Sequence, residues 1–305
     1  MLNPILAEKE RAAIEFLKAM ERPEGYYLAF SGGKDSCIIK HLADKAGVKY
    51  KAVYRVTSVD PPELVRFIKE KHPDVIREIP HDKEGKPITM WSLIRKKHML
   101  PTRIARFCCA DLKETGGDGM MTITGVRWAE SSNRKNNQGK VTITEKKHSL
   151  QGDTNFQQTA RGGVVLVNDN EESRRTIEAC YKRHKTLINP IIDWEDSEVW
   201  SYIREENIPY CSLYDEGFAR LGCIGCPMAR YKGRVQEFAR FPKYKEKYMR
   251  CAEEIIQYQL ANGKKPVSKD GEAYFKRWIE DPNLPGQLSI FDGEEEDESE
   301  NDDIN

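Results

Sequence analysis

Two sets of residues in this chain have the types and spacing to do chemistry. The first is Ser31-Gly32-Gly33-Lys34-Asp35-Ser36, between the apolar run Tyr26-Tyr27-Leu28-Ala29-Phe30 and a helical pattern from Cys37 to Ala43. Paired glycines let a backbone turn tightly and approach a phosphate without Cβ strain. The start of a helix adds N–H groups and a partial positive charge. Ser31 and Ser36 bring hydroxyl donors, Lys34 brings a full charge, and Asp35 is a candidate for ordering the loop or for Mg²⁺. The spacing is neither Gly-x4-Gly-Lys-Ser/Thr nor Gly-x-Gly-x-x-Gly. The second set is cysteine: the pair Cys108-Cys109, and Cys223-Ile224-Gly225-Cys226 far along the chain. Four thiolates can hold a tetrahedral zinc ion or a 4Fe–4S cluster, and a lone Cys-x-x-Cys can also be a redox pair. Cys180, in a basic stretch, is a possible substitute ligand. Cys37, Cys211 and Cys251 read as buried thiols.

The elements that must position these residues can be read from periodicity. Asn3-Pro4 is a helix start, and Leu6, Ala13, Ile14, Leu17 and Met20 follow at helical spacing. The run from Tyr26 is a buried strand. Tyr50 to Val56, Val75 to Ile79 and Met120 to Val126 are further strands, with a helix from Pro62 to His72. Strands alternating with helices predict an α/β fold with a doubly wound parallel sheet, and ligands at the carboxyl ends of its strands. The glycine loop and Gly125-Val126-Arg127 both lie just past predicted strands, so both could face one crevice. Residues 131–170, rich in Asn, Gln, Gly, Lys and Thr, read as a flexible insertion, a mobile segment or small hairpin. Asp196 or Ser197 caps a helix through Trp200. The expected organisation is an N-terminal helix (1–24), a nucleotide-binding domain (25–245), a helical C-terminal extension (246–281) and a disordered acidic tail (282–305).

Lys+Arg and Asp+Glu both total 49, so the formal net charge is zero. The acidic tail hides a mildly basic body, which suits an anionic ligand without establishing nucleic-acid binding. No stretch is apolar enough to span a membrane. The N-terminus lacks the pattern of a signal peptide, so the expected compartment is cytoplasmic, where eight cysteines favour thiols or metal ligands over disulfides.

At this point the chain resembles the ATP pyrophosphatase and phosphoadenylylsulfate (PAPS) reductase superfamily, whose fold is described as adenine nucleotide alpha-hydrolase-like. The hexapeptide is similar to its pyrophosphate loop. Thr57 to Glu63, Gly125-Val126-Arg127-Trp128-Ala129-Glu130-Ser131 with Arg134, Asn189 to Trp194, and Tyr214-Asp215-Glu216-Gly217-Phe218 resemble its later segments in the right order. The resemblance implies a site for ATP or a sulfonucleotide, with Ser31, Gly32, Gly33, Lys34, Asp35 and Ser36 at phosphate. Asp60, Gly125, Arg127 and Arg134 are further candidates, Asp60 for Mg²⁺ or loop ordering and the two arginines as anion contacts. The cysteine pattern also resembles that of cluster-bearing adenylylsulfate reductases, which implies Cys108, Cys109, Cys223 and Cys226 on a 4Fe–4S cluster.

Those reductases act through a cysteine in a Glu-Cys-Gly-x-His segment, which these residues do not contain, and they usually lack the loop lysine that is intact here. Both departures favour an ATP-dependent enzyme: α–β cleavage of ATP, pyrophosphate release, and activation of an acceptor for sulfur transfer, with Lys34 and Asp35 catalytic. Alternatives are a sulfonucleotide reductase using an external thiol, with a sulfur donor or thiol-reductant protein as partner, and a non-catalytic DNA-associated protein. Gln287-Leu288-Ser289-Ile290-Phe291 resembles the short peptide that binds a bacterial DNA sliding clamp.

Overall fold

A computed structural model describes residues 3–144, 154–160, 163–182 and 184–280. The clamp-like peptide Gln287–Phe291 and the acidic tail lie outside the described residues. Two compact units emerge, one made of the chain up to Met90 and Cys109–Cys223, the other of Trp91–Cys108 and the chain from Ile224 on. The sequence placed a boundary near 245 instead.

The first unit opens with α1 (Pro4–Met20). The Asn3 side chain accepts from Ile5 N at 3.0 Å, and Pro4 at the first helical position gives up no needed donor. Its core face is Leu6, Ala13, Phe16, Leu17 and Met20. β1 (Tyr26–Ala29) leads through the glycine loop into α2 (Lys34–Ala46), which stops at left-handed Gly47. β2 (Tyr50–Arg55), α3 (Pro62–Lys71) and β3 (Ile76–Glu78) follow, close to their predicted bounds. Before β4 (Met121–Ile123) the chain forms α4 (Met90–Lys97), which belongs to the second unit from Trp91 on, and α5 (Phe107–Leu112), which is divided between the units after Cys108.

Beyond β4, where the sequence offered an insertion or a small hairpin, antiparallel strands join the main sheet. α6 (Ser132–Asn137) is followed by β5 (Val141–Thr144), β6 (Phe156–Gln158) and β7 (Val164–Leu166). α7 (Glu171–Cys180), β8 (Lys185–Ile188) and α8 (Asp196–Glu205) complete the regular elements of this unit. The described strands form one sheet in the order β3-β2-β1-β4-β8-β5-β7-β6. β3 through β8 pair in parallel, whereas β5, β7 and β6 extend the sheet antiparallel, with Thr142 opposite Leu187. Val141 and Ile143 are fully buried, and that burial outweighs the polar, loop-like composition around them. The fold is therefore mixed α/β with a mostly parallel sheet, as the strand–helix alternation predicted.

The chain runs outward from β1 through β2 to β3, then returns to the other side of β1 as β4. This reversal makes the carboxyl ends of β1 and β4 the topological switch point of the sheet.

The second unit holds α9 (Tyr231–Arg240), α10 (Pro242–Ala261) and α11 (Gly271–Glu280). Its core is aromatic: Phe238, Tyr248, Phe275 and Trp278 pack with ring centroids 5.0–6.2 Å apart. No helix among the described residues is long and apolar enough to cross a membrane.

Candidate functional site

The loop after β1 is shaped by its glycines. Gly32 has φ +74°, and a Cβ there would lie 2.8 Å from Ile68 and Leu64 on α3. Only glycine combines that backbone with that approach. The hydroxyls knit the turn together: Ser31 Oγ accepts from Gly33 N at 3.4 Å and lies 3.3 Å from Ser36 Oγ, which donates to Gly33 O at 2.8 Å. Lys34 opens α2 with its side chain buried, its Nζ 3.5 Å from Asp35 Oδ2 and 3.6 Å from Asp196 Oδ1.

Arg127, a candidate anion contact, is tied to two carboxylates beside the loop. It is fully buried, and its guanidinium donates from Nε to Asp35 Oδ1 (2.6 Å), from Nη1 to Trp194 O (2.9 Å) and from Nη2 to Asp196 Oδ1 (2.6 Å). Burial alone would lower the pKa of Arg127; Asp35 and Asp196 outweigh it, and the group stays charged. Burial would likewise raise Asp196, but hydrogen bonding and charge from Arg127, then Lys34, hold its carboxyl below the usual range. The result is two carboxylates interleaved with two cations beside the loop, with Arg127 as the clamp that fixes both acids.

Gly125 serves packing. A Cβ on it would lie 2.9 Å from Asp35 Cβ and 3.0 Å from the Asp35 carbonyl carbon, so the loop after β4 can close on α2 only without a side chain. Asp60 orders its own loop rather than standing open: its Oδ2 accepts from Tyr54 OH at 2.6 Å and from Thr57 N at 3.3 Å. Burial, then the Asp60 charge, push the Tyr54 phenol up, with Cys223 adding to the effect. Arg134, on α6, donates to Glu130, whose carboxylate also accepts from Arg127 N at 3.2 Å.

Two residues near the loop escaped assignment from sequence. Asp196 was read only as a candidate helix cap, though Glu195 is the cap. Tyr214, in a 3-10 turn spanning Ser212–Tyr214, accepts from Lys34 N at 2.9 Å through its hydroxyl. Both lie far along the chain from their partners, and only the order of the family-like segments hinted at their place.

The candidate ligand cysteines are divided between the two units, Cys109 and Cys223 in the first, Cys108 and Cys226 in the second. Cys108 and Cys109 lie on α5, Cys223 and Cys226 frame a turn, and Cys180 is buried at the end of α7. Among the described residues, no three His, Cys, Asp or Glu side chains converge as a metal-holding group. Cys37, Cys211 and Cys251 are buried, as expected. Burial, then Asp35 and Cys211, push the Cys37 thiol well up.

Comparison with known proteins follows the same outline. An uncharacterized protein of Methanocaldococcus jannaschii is 28% identical over 85% of this chain and 48% of its own length. An adenosine 5'-phosphosulfate reductase of Staphylococcus epidermidis is 34% identical over 23% of this chain and 25% of its own. The chain thus spans about half the length of the M. jannaschii relatives it matches. A solved PAPS reductase of Candida auris covers 73% of this chain and 96% of its own at 16% identity and TM-score 0.40. Residues 25–229, from the start of β1 to just past the Cys-x-x-Cys turn, match the phosphoadenosine phosphosulfate reductase domain, and the chain belongs to that family.

Proposed function

We propose that this chain is an enzyme that binds an adenine nucleotide on the Ser31–Ser36 loop and uses ATP to activate an acceptor for sulfur transfer. The observation that carries this reading is Lys34: an intact, buried lysine in the first turn of α2, at the switch point of the sheet. An acceptor oxygen attacks the α-phosphorus of ATP. The bond from that phosphorus to the bridging oxygen breaks, and pyrophosphate leaves with the electron pair. Lys34 and the loop N–H groups meet the negative charge that grows on the leaving group, which is electrostatic catalysis. Asp35 sets the position of Lys34, and Arg127 sets the position of Asp35. Mg²⁺ enters with ATP as part of the substrate.

Pyrophosphate release from ATP by purified protein, lost in Lys34→Ala with circular dichroism unchanged, is the expected result. Pyrophosphate release at the wild-type rate by Lys34→Ala would overturn it. The family match also supports a second reading, a sulfonucleotide reductase with an external thiol. Turnover of adenylylsulfate or PAPS with a reductant and without ATP would favour that one. A protein that binds none of these nucleotides would be a non-catalytic member.

The 4Fe–4S cluster, with zinc as alternative, rests on the Cys108-Cys109 and Cys223-x-x-Cys226 pattern alone, and no step above runs through it. Anaerobic purification with iron and zinc analysis decides it; a metal-free protein with the same nucleotide affinity would sink the assignment. Docking of Gln287–Phe291 on a sliding clamp is a separate proposal, tested by binding of the full chain and a Leu288→Ala, Phe291→Ala variant to purified clamp.

A further inference from the structure

Tyr214 stands beside the start of α2. Its hydroxyl oxygen is 2.9 Å from Lys34 N, the amide that opens α2, and 3.5 Å from the position of a Gly33 Cβ. A phosphate seated on this helix start therefore meets the phenol as one of its first neighbours. The ring is held in place, edge-on to Trp200 (centroids 5.0 Å, 83°) and angled to Tyr210 (6.4 Å, 64°). The hydroxyl accepts from the Lys34 amide, and among the described residues no group accepts its own hydrogen. A phenol has one hydrogen to give.

We propose that Tyr214 is a phosphate-binding residue, its hydroxyl accepting from the Lys34 amide and donating to a phosphate oxygen of the nucleotide. This deepens, and rests on, the reading of Ser31–Ser36 as a phosphate loop. Burial, more than the neighbouring Asp35, pushes the phenol well above its ordinary pKa, so it keeps the hydrogen it must donate. The arrangement relays the first helical N–H to the ligand through a fixed ring.

The test is calorimetric titration of the full chain, wild type and Tyr214→Phe, with inorganic pyrophosphate and with adenosine. The Phe variant keeps the ring and loses the donor. Pyrophosphate affinity should fall about tenfold or more, the usual effect of losing a hydrogen bond to a charged group. Adenosine affinity should be unchanged, because it has no phosphate. Equal or tighter pyrophosphate binding by the Phe variant overturns the proposal, the tighter case showing a hydroxyl displaced by the ligand. An equal loss for adenosine overturns it too, since the ring would then be a structural support. A separate failure is recognisable: wild type that does not bind pyrophosphate, or Lys34→Ala that binds it as well as wild type, removes the phosphate loop itself. Emission of Trp200 in the unliganded variants, matched to wild type, shows that ring packing is kept.

Discussion

Gly32 and Gly225 hold the same kind of position in their turns. Each has positive φ, +74° and +72°, and each would drive a Cβ into apolar side chains: Ile68 and Leu64 at 2.8 Å for the first, Phe238 at 2.6 Å for the second. The surroundings then diverge. Around Gly32 the neighbouring side chains are Ser31, Lys34, Asp35 and Ser36, tied to one another and to Arg127 and Tyr214. Around Gly225 the turn is anchored by backbone: its N–H donates to Glu237 at 2.7 Å, and the Ile224 carbonyl accepts from Tyr248 at 3.1 Å. Its flanking cysteines join no group of three ligands among the described residues. A tight glycine turn is thus common to both, and what separates a candidate reaction site from an anchored turn is the placement of charge.

The largest expected effect breaks the comparison at its charge. Lys34→Ala should lower the rate of pyrophosphate release by roughly 10²–10³, the range for removing one donor to a developing anion, with the fold intact. Single-turnover assays with ATP read it. Next comes the clamp. Arg127→Ala leaves Asp35 and Asp196 with Lys34 as their remaining cation, at a site where the arginine was fully buried. A loss of about 3 kcal/mol is expected in urea denaturation, the range for breaking a buried ion pair from one side. Arg127→Lys should recover only part of it, because one ammonium cannot reproduce three directed contacts.

The glycines themselves sharpen the comparison. Gly32→Ala and Gly225→Ala should each cost about 1–3 kcal/mol, since both combine a strained backbone with a close apolar contact. Only Gly32→Ala should also weaken pyrophosphate binding. Calorimetry at a temperature where both variants are folded separates the two outcomes. Equal loss of binding in both would mean that the turns are not distinguished by charge.

Much of this was legible in the sequence because its determinants are local. Strand–helix alternation appears within ten or so residues, so β1, β2, β3 and β4 were found near their observed bounds. The loop was found because its six residues are consecutive. For β5, β6 and β7 the sequence offered only a mobile insertion or a small hairpin, because their polar stretch becomes part of the sheet only by pairing with β8 or with each other. Arg127 was recognised by type and place, but its role depends on Asp35 and Asp196, more than sixty residues away on either side. Tyr214 was legible only as the first residue of a family-like segment, with no sign of its bond to the Lys34 amide 180 residues away. The cysteines show the converse: residue types named a ligand set, yet a ligand set is fixed by its metal and the surrounding fold, which residue types do not encode.

Asp196 gives the smallest and most diagnostic effect. Its carboxyl is held below the usual range by Arg127 and Lys34, against burial. A depressed carboxylate adds stability that is fully present above the unfolded value of about 4 and is lost as pH falls through the folded value. Wild type should therefore lose stability, as pH falls below about 4, by a part that Asp196→Asn no longer titrates. The Asp196 side chain is 66% exposed, so the difference between the two proteins should be about 0.5 kcal/mol or less. The same substitution removes one anion from the pair beside Lys34 while leaving both cations. Pyrophosphate should then bind somewhat more tightly at neutral pH, by a few-fold, and the gain should shrink at high salt. Tighter binding with a flatter acid limb would place Asp196 beside the phosphate. A flatter acid limb with unchanged binding would confine it to holding Arg127.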